Sequence, residues 1–590
     1  MSHRAPAGLL RVDLSDGTVK SERVPERWRR DYVGGKGLGA RYLYEELDPG
    51  ADPLGPENVL LFMHGPLSAA LPGEPRYAAV TKSPLTGTFL DSYSGGEFAE
   101  RLRGALGDHL GLLVTGRAEE PVRIEIEDGE ATVEPTDSWG EDAVATCEAH
   151  PDAAVACVGP AGENAVEYAT IASDEANHHA GRGGAGAVMG AKRLKAVVVR
   201  GDPPDGDDFD DLRDRAAAAY GDAEVGRWQR ASGTVESAEF ANEVGVLSTR
   251  GWQESGFEGT DAIGVEAVRD AATGRENEDA DVPGGFRVDT DDGEYVPRGA
   301  SAMSLGAGLG VDEFDAVAAL GETCDRLGVD VISAGSSVAW AVRASETGAI
   351  DREFSFGDAE SARTLIEEIA GRETPLGDAL ADGVDAAAER FGGGDLVPTV
   401  KAMELPGYDP RGSRAMALAY ATSDRGGCHR RARPVEEEVF GDWSDGDRVR
   451  AVIAEQDRRS LVWSLVGDDF GGEVLDDLAA EWFAAVGQDR TPEGLRTAGE
   501  RIWTLVRLFN VREGFDRADD ELPPVLTESV DDADGIDPTA FDDLLRRYYA
   551  ARSWDRRGRP TRALCDRLGL LDTVDDDTPV ADAPATPPEQ

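Results

Sequence analysis

Two hydrophobic periods divide the chain, and the change from one to the other near residue 208 limits its fold more than any other feature. Before that point apolar residues fall in short runs bounded by turn formers: 9–14, a turn at Asp16 and Gly17, then 18–24, 59–63, 77–81, 112–115, 122–126 and 196–199. These are the marks of strands, with helical interludes expected over 39–46, 96–106 and 142–148. From residue 211 the period becomes helical, as in 212–220 and 312–327, where Phe314, Val317, Leu320, Cys324 and Leu327 share one face. Residues 403–571 are again mostly helical, most clearly over 448–466, 475–486 and 491–510. The expected fold class is α+β, with an N-terminal β-sheet domain over 1–208 followed by two mainly α-helical domains over 209–400 and 401–572. An acidic, glycine-rich insert at 270–299 has no clean period and reads as an exposed loop, and 573–590 reads as a disordered acidic tail.

The charge narrows the setting. A net charge of −55 accompanies only six lysines, all other positive charge being arginine. A folded chain of this mass exposes roughly 20,000 Å², which spaces its carboxylates by about 13 Å, well beyond the ~3 Å Debye length of molar salt. The composition therefore predicts a protein of a salt-rich cytoplasm. It argues against nucleic acid or an anionic membrane as partner, since phosphate is repelled everywhere except in a local basic pocket. No leader-like apolar segment follows the start and no run approaches a membrane span, so a cytoplasmic location is expected. The five cysteines contain no CxxC and the closest pair lies ten residues apart, which indicates neither a zinc site nor a disulfide framework.

The stretch NHHAGRGGAGAVMGAKRLKAVVVR, 177–200, places five glycines within ten residues around Arg182. Such a loop can turn backbone N–H groups toward an anion and reads as a cradle for a phosphorylated ligand, with Lys82, Lys192 and Lys195 as further contacts. A tight turn before a buried strand explains the same glycines, and neither a Walker ending nor a GxGxxG fingerprint is present. Three other stretches stand out: RYAAVTKSPLTGTFLDSYSGG at 76–96, CDRLGVDVISAG at 324–335, and ELPGYDPRGSRAMALAYATSDRGGCH at 404–429. Each has a plain explanation alone: Gly328 as a helix cap, and the turn before His429 as a bend holding a core histidine.

In this order and spacing the four stretches resemble the tungsten-containing aldehyde ferredoxin oxidoreductase family. The likeness begins with GGKGLGARYLYEEL and runs past RIWTLVRLFNVREGFDRADDELP at 501–523. It implies two pyranopterins holding one tungsten or molybdenum, with no protein side chain on the metal, that oxidises an aldehyde with water to a carboxylate. It implies a magnesium ion between the pterins, ferredoxin or another electron acceptor as partner, and a homodimer. The β domain would form the pterin-binding base. By matched motifs, Arg76, Gly95, Gly96, Arg182, Gly183 and Gly184 would serve the pterins from that base, and Asp325, Gly328 and Asp330 from the helical side. His429 would stand beside the metal as a proton handler, since an unperturbed imidazole titrates near neutrality.

The family's [4Fe–4S] cluster has no ligands here. Its four cysteine positions fall at Asp279, Val282, Phe286 and Asp468, and such clusters need protein thiolates. The active-site glutamate is also missing, the corresponding stretch reading VPRGA at 296–300, and Tyr93 replaces an asparagine expected near the magnesium. Two readings follow: an aldehyde oxidoreductase with an altered electron exit, or a catalytically degenerate pterin-binding scaffold or regulatory subunit.

Overall fold

A computed structural model describes residues 6–588 apart from 69–70, 72, 204–209, 281, 476–478, 486–487 and 532. The expected border at 208 and part of the helix expected over 475–486 lie outside the described residues. The N-terminal region holds two six-stranded sheets. The first consists of β1 (Gly8–Asp13), β2 (Thr18–Arg23), β3 (Leu60–Met63), β4 (Tyr77–Lys82), β5 (Phe89–Ser94) and β6 (His109–Thr115), in the order β2-β1-β6-β3-β4-β5. The second consists of β7 (Val122–Glu127), β8 (Glu130–Pro135), β9 (Ala154–Cys157), β10 (Ile171–Ser173), β11 (His178–Ala180) and β12 (Leu194–Arg200), in the order β11-β10-β9-β12-β7-β8. Pairing is antiparallel except for β1 with β6 and β7 with β12.

The period of two explains how the sheets pack. Leu60, Phe62, Tyr77 and Ala79 point into a core shared with Ile124, Ile126, Val197 and Val199 of the second sheet. Their neighbours Leu61, Met63, Ala78 and Val80 point to the opposite face, into a core built largely from helices. A sheet covered on both faces needs apolar residues at every position, which is why β3 reads LLFM. The helix Gly35–Glu46 lies directly on that second face. A Cβ on Gly39 would sit 2.8 Å from both Val80 methyl carbons, so only glycine allows this approach.

After residue 210 helices dominate, including Phe314–Leu327, Val331–Glu346, Arg414–Ala421, Asp445–Leu465 and Pro492–Arg512. The α+β class with sheets first and helices after is what the periods predicted. Two expectations fail. The insert is not a bare loop but a three-stranded antiparallel sheet of β13 (Ala272–Arg275), β14 (Phe286–Asp289) and β15 (Glu294–Tyr295). Phe286, Val288 and Tyr295 turn inward while Arg287 and Asp289 face solvent, an alternation too short to register as a period. The acidic tail is also docked over its described part: Thr578, Ala581 and Ala585 are buried. The backbone N–H of Ala581 bonds Pro560 O at 2.9 Å and that of Ala585 bonds Trp554 O at 2.7 Å. Small residues let this polar segment lie flat in a groove. Among the described residues no helix is long and apolar enough to cross a membrane.

Candidate functional site

The motif CDRLGVD folds as a helix end, a turn and a helix start. Gly328, at φ +73°, caps Phe314–Leu327, and the Asp330 carboxylate accepts the Ser333 N–H at 3.0 Å to cap Val331–Glu346. Asp330 thereby reaches the glycine loop. Arg182 donates from Nε to Asp330 at 3.3 Å, from Nη1 to Gly427 O at 2.6 Å and from Nη2 to Glu404 O at 2.5 Å. One guanidinium thus joins the β domain to both helical motifs. Asp325, on the preceding turn, faces the β domain separately, 3.3 Å from His179 Nε2. Burial drives the Asp325 carboxyl well above its usual range and holds the His179 ring down to about 4.

The glycines of the loop serve close packing. A Cβ on Gly183 would lie 2.6 Å from Leu90 Cδ1, and one on Gly184 would lie 2.0 Å from Glu167 O. The helix that follows, Ala185–Ala191, is under two turns long. The three lysines expected at a ligand are bound by protein instead. Lys82 meets Glu513 at 2.6 Å, Lys192 meets Gly116 O at 3.1 Å, and Lys195 meets Val158 O at 2.7 Å and Glu163 at 2.5 Å. A chain this poor in lysine keeps it where a compact ammonium on a long stem reaches buried oxygens.

Behind Gly427 lies a buried ionic network that motif reading missed. Asp91 and Asp424 are shared by Lys36, at 3.3 and 2.5 Å, and by Arg431, at 2.5 and 3.1 Å. Tyr93 donates to Asp91 at 2.7 Å, and its ring stacks on Trp463 with centroids 4.2 Å apart. Arg430 lies over the Trp463 ring at 5.0 Å. The one signal in the sequence is DRGGCHRRAR at 424–433, a basic run in an acidic chain. Cys428 Sγ accepts from Arg425 Nη2 at 3.2 Å. Burial alone would raise this thiol, but Arg425, Arg431 and Arg182 pull it to about 7. His429 stands 5.7 Å from the Tyr408 ring, and burial followed by Arg433, Arg430 and Arg182 holds it well below its ordinary value. It is therefore a neutral ring at physiological pH, which corrects the expectation of titration near neutrality. The carboxyl that does move toward neutrality is Glu404, raised to about 6 by burial while Ser333 Oγ donates to it at 2.6 Å.

Four buried polar atoms at this junction have no protein partner: Trp463 Nε1, Arg425 Nε, His429 Nδ1 and Glu404 Oε1. Unsatisfied buried groups are costly, and two fixed donors, a carboxyl oxygen and an imidazole nitrogen whose role follows its tautomer suit a polar ring system carrying both kinds of edge. On this side the unmet hydrogen-bonding groups match those of a pterin edge. On the other side the residues fit less well. Arg76 spends its fork on Glu74 and Asp468, each at 2.9 Å. Carboxylates fill the faces of the two glycines, with a Gly95 Cβ 2.2 Å from the Glu74 carboxyl and a Gly96 Cβ 1.7 Å from Asp174 Oδ2.

Arg76 and Gly96 open instead on a cavity of about 1260 Å³, whose wall also carries Asp279, Val282, His178, Arg298, Cys147 and Asp468. Three of the four positions matched to cluster cysteines thus converge on one space, and Phe286 is buried beside it in a small apolar core. Across this cavity His178 bridges Glu74 at 3.3 Å and Glu276 at 3.0 Å, and Arg298 also holds Glu276 at 3.0 Å. The structure therefore brings Arg182, Asp330 and the 427–429 turn together, while Arg76 reaches the same turn through the neighbouring carboxylates Asp468, which it binds, and Asp469, which meets Arg430 at 3.5 Å. Among the described residues no group of three or more His, Cys, Asp or Glu could hold a metal ion.

Comparison with known proteins places this geometry. The family model described as aldehyde ferredoxin oxidoreductase, N-terminal domain, matches residues 9–201, and that for domains 2 and 3 of the same family matches 212–570. The tungsten-containing aldehyde ferredoxin oxidoreductase of Pyrococcus furiosus is 35% identical over 96% of this chain and 98% of its own length. That of Pyrococcus abyssi is 34% identical over 96% and 99%. A protein of Pyrococcus furiosus named aliphatic sulfonate oxidoreductase, WOR-like subunit, is 26% identical over 95% and 96%. A chain in the solved active site complex BamBC of benzoyl coenzyme A reductase with 1,5-dienoyl-CoA shares the fold, with a TM-score of 0.81 at 22% identity, covering 97% of this chain and 98% of that one.

Proposed function

Since the chain belongs to the aldehyde ferredoxin oxidoreductase family, we propose that it oxidises an aldehyde with water to a carboxylate at a tungsten or molybdenum bis-pyranopterin centre, and passes the electrons on without an iron–sulfur relay. The observation that carries this reading is the set of partnerless buried atoms around Gly427, on Trp463, Arg425, His429 and Glu404. Arg182 and Asp330, whose polar atoms already bind protein, would fix the junction against which a pterin edge lies between the β domain and the helices, with Gly183, Gly184, Asp325 and Gly328 shaping the approach. Bound there, the metal would supply the two-electron oxidation. This chain's residues would do the rest: His429 as a neutral hydrogen-bonding ring, and Glu404 as the carboxyl that holds or yields a proton near neutrality.

The altered electron exit is supported by Asp279, Val282 and Asp468, which face one cavity with carboxylates and an aliphatic side chain where the family's relay needs thiolates. The acceptor, ferredoxin or another, would then take electrons from the centre itself. A second reading, a pterin-binding scaffold or regulatory subunit without turnover, is favoured by the carboxylates that fill the space at Arg76, Gly95 and Gly96.

The test is metal, pterin and iron content of the purified protein together with aldehyde-dependent reduction of a viologen dye. The expected result is about two pterins per tungsten or molybdenum, no acid-labile iron, and turnover. Pterin without turnover would favour the scaffold. Absence of metal and pterin would end both readings, and a stoichiometric [4Fe–4S] spectrum would overturn the altered exit.

A further inference from the structure

The five cysteines are all free and buried, and ten residues separate the two nearest in sequence. The fold closes that gap. Cys147 lies near the end of the helix Ala143–Glu148 and Cys157 ends β9, and their sulfurs are 4.0 Å apart. Cys157 sits between β10 and β12, opposite Ala172 and Ala196, and is fully buried. Cys147 is 8% exposed and lines the cavity that also exposes Arg76 and Asp468. One sulfur is thus reachable and the other waits behind it. Alanine neighbours Ala143, Ala172, Ala176 and Ala196 surround the pair. Such small side chains leave the helix room to settle by the roughly 2 Å that separates this contact from an S–S bond.

We propose that Cys147 and Cys157 form an oxidation site, a peroxidatic and a resolving thiol whose oxidant is a hydroperoxide. The Cys147 thiolate attacks one peroxide oxygen, the O–O bond breaks, and Cys147 becomes a sulfenic acid as hydroxide or an alkoxide leaves. Cys157 then attacks the sulfenic sulfur, the S–S bond forms and the sulfenic hydroxide leaves as water with the Cys157 proton, while the hydroxide or alkoxide of the first step takes up the proton that Cys147 released. Two thiols lose two electrons and the peroxide gains them. The product staples the helix Ala143–Glu148 to the second sheet. That helix is also tied to the helical region, because its capping residue Asp142 pairs with Arg326 at 2.5 Å.

The test uses the full chain treated with hydrogen peroxide under native conditions, then acid-quenched, denatured and alkylated. The expected result is three alkylated cysteines in place of five, with Cys147 and Cys157 recovered in one linked peptide. Cys147→Ser protein should keep four alkylatable thiols after the same treatment, whereas Cys157→Ser protein should keep three, with Cys147 recovered as a sulfenic or sulfinic acid for want of a resolving partner. In the native chain, five alkylated cysteines, Cys147 found only as sulfinic acid, or a linkage through any other cysteine would each overturn the proposal. The native-chain result stands whether or not a variant folds.

Discussion

The Arg182 guanidinium and the Asp330 carboxylate meet at 3.3 Å with both side chains over nine-tenths buried, one from the glycine loop and the other from a helix N-terminus. The same guanidinium binds two backbone carbonyls, so Asp330 cannot be replaced as its partner by water without opening the junction. Removing one member of a buried pair leaves the other charged and uncompensated. Arg182→Ala should therefore cost about 3–5 kcal/mol, read as a shift in denaturant midpoint. The double variant Arg182→Ala, Asp330→Ala should recover part of that loss, whereas strict additivity would show the pair to be uncoupled.

Gly39 offers a steric test of how the helix Gly35–Glu46 seats on the first sheet. Its absent Cβ would press on the Val80 methyl groups at 2.8 Å. Gly39→Ala should destabilise by about 1–3 kcal/mol despite the gain in helix propensity. Pairing it with Val80→Ala should relieve most of the cost in chemical unfolding.

His178 gives a pH dependence of definite sign. Burial opposes its charge, but Glu74 and Glu276 outweigh that and raise its titration above the ordinary value, with Arg298 acting the other way. A group raised in the folded state stabilises fully below its unfolded value and loses that contribution as pH rises through the folded one. The stability difference between the native chain and His178→Gln should be largest near pH 6 and shrink toward pH 9. A difference that grows with pH would contradict the bridge.

The docked tail should matter to stability. Removing residues 573–590 exposes the surfaces covered by Thr578, Ala581 and Ala585 and frees Arg512 from Asp575, now 3.2 Å away. A loss of about 2 kcal/mol is expected from the uncovered apolar surface and lost bonds. Identical unfolding curves for the full and shortened chains would refute the docking.

The charge makes salt a condition of folding. Surface carboxylates spaced by about 13 Å lie within the ~30 Å Debye length at 0.01 M and outside the ~3 Å length at 1 M. Thermal midpoints measured in potassium chloride should fall steeply as salt is removed across that range. A flat response would separate the composition from any halophilic habit.

Much of the fold was legible in the sequence where period and turn signals agreed. β1, β4, β12 and the helices Phe314–Leu327 and Asp445–Leu465 fall within a few residues of their expected bounds. β5 did not announce itself, because FLDSYS is buried on both faces yet carries Asp91 and Tyr93 for the ionic network. β10 and β11 are three residues each, too short to show a period. The site divided in the same way. Gly328 was readable as a helix cap because caps are local, and Asp330 came only with the resemblance, whereas Asp91 meets Arg431 across 340 positions and Lys36 meets Asp424 across 388. Contacts of that separation exist only once the chain has closed. The 4.0 Å approach of Cys147 and Cys157 was invisible for a related reason: distance along the chain says little when a helix folds back on the strand that follows it.

The placing of lysine has a practical corollary. Lys36, Lys82, Lys192, Lys195 and Lys401 have their side chains buried, while Lys20 stands exposed on β2. Amine-directed chemistry on the folded protein will find Lys20 as its accessible lysine, so an activated ester should attach a dye or a surface tether at one edge of the first sheet. Once attachment at the chain's α-amino group is separated by peptide mapping, that lysine gives a probe a defined place on the fold.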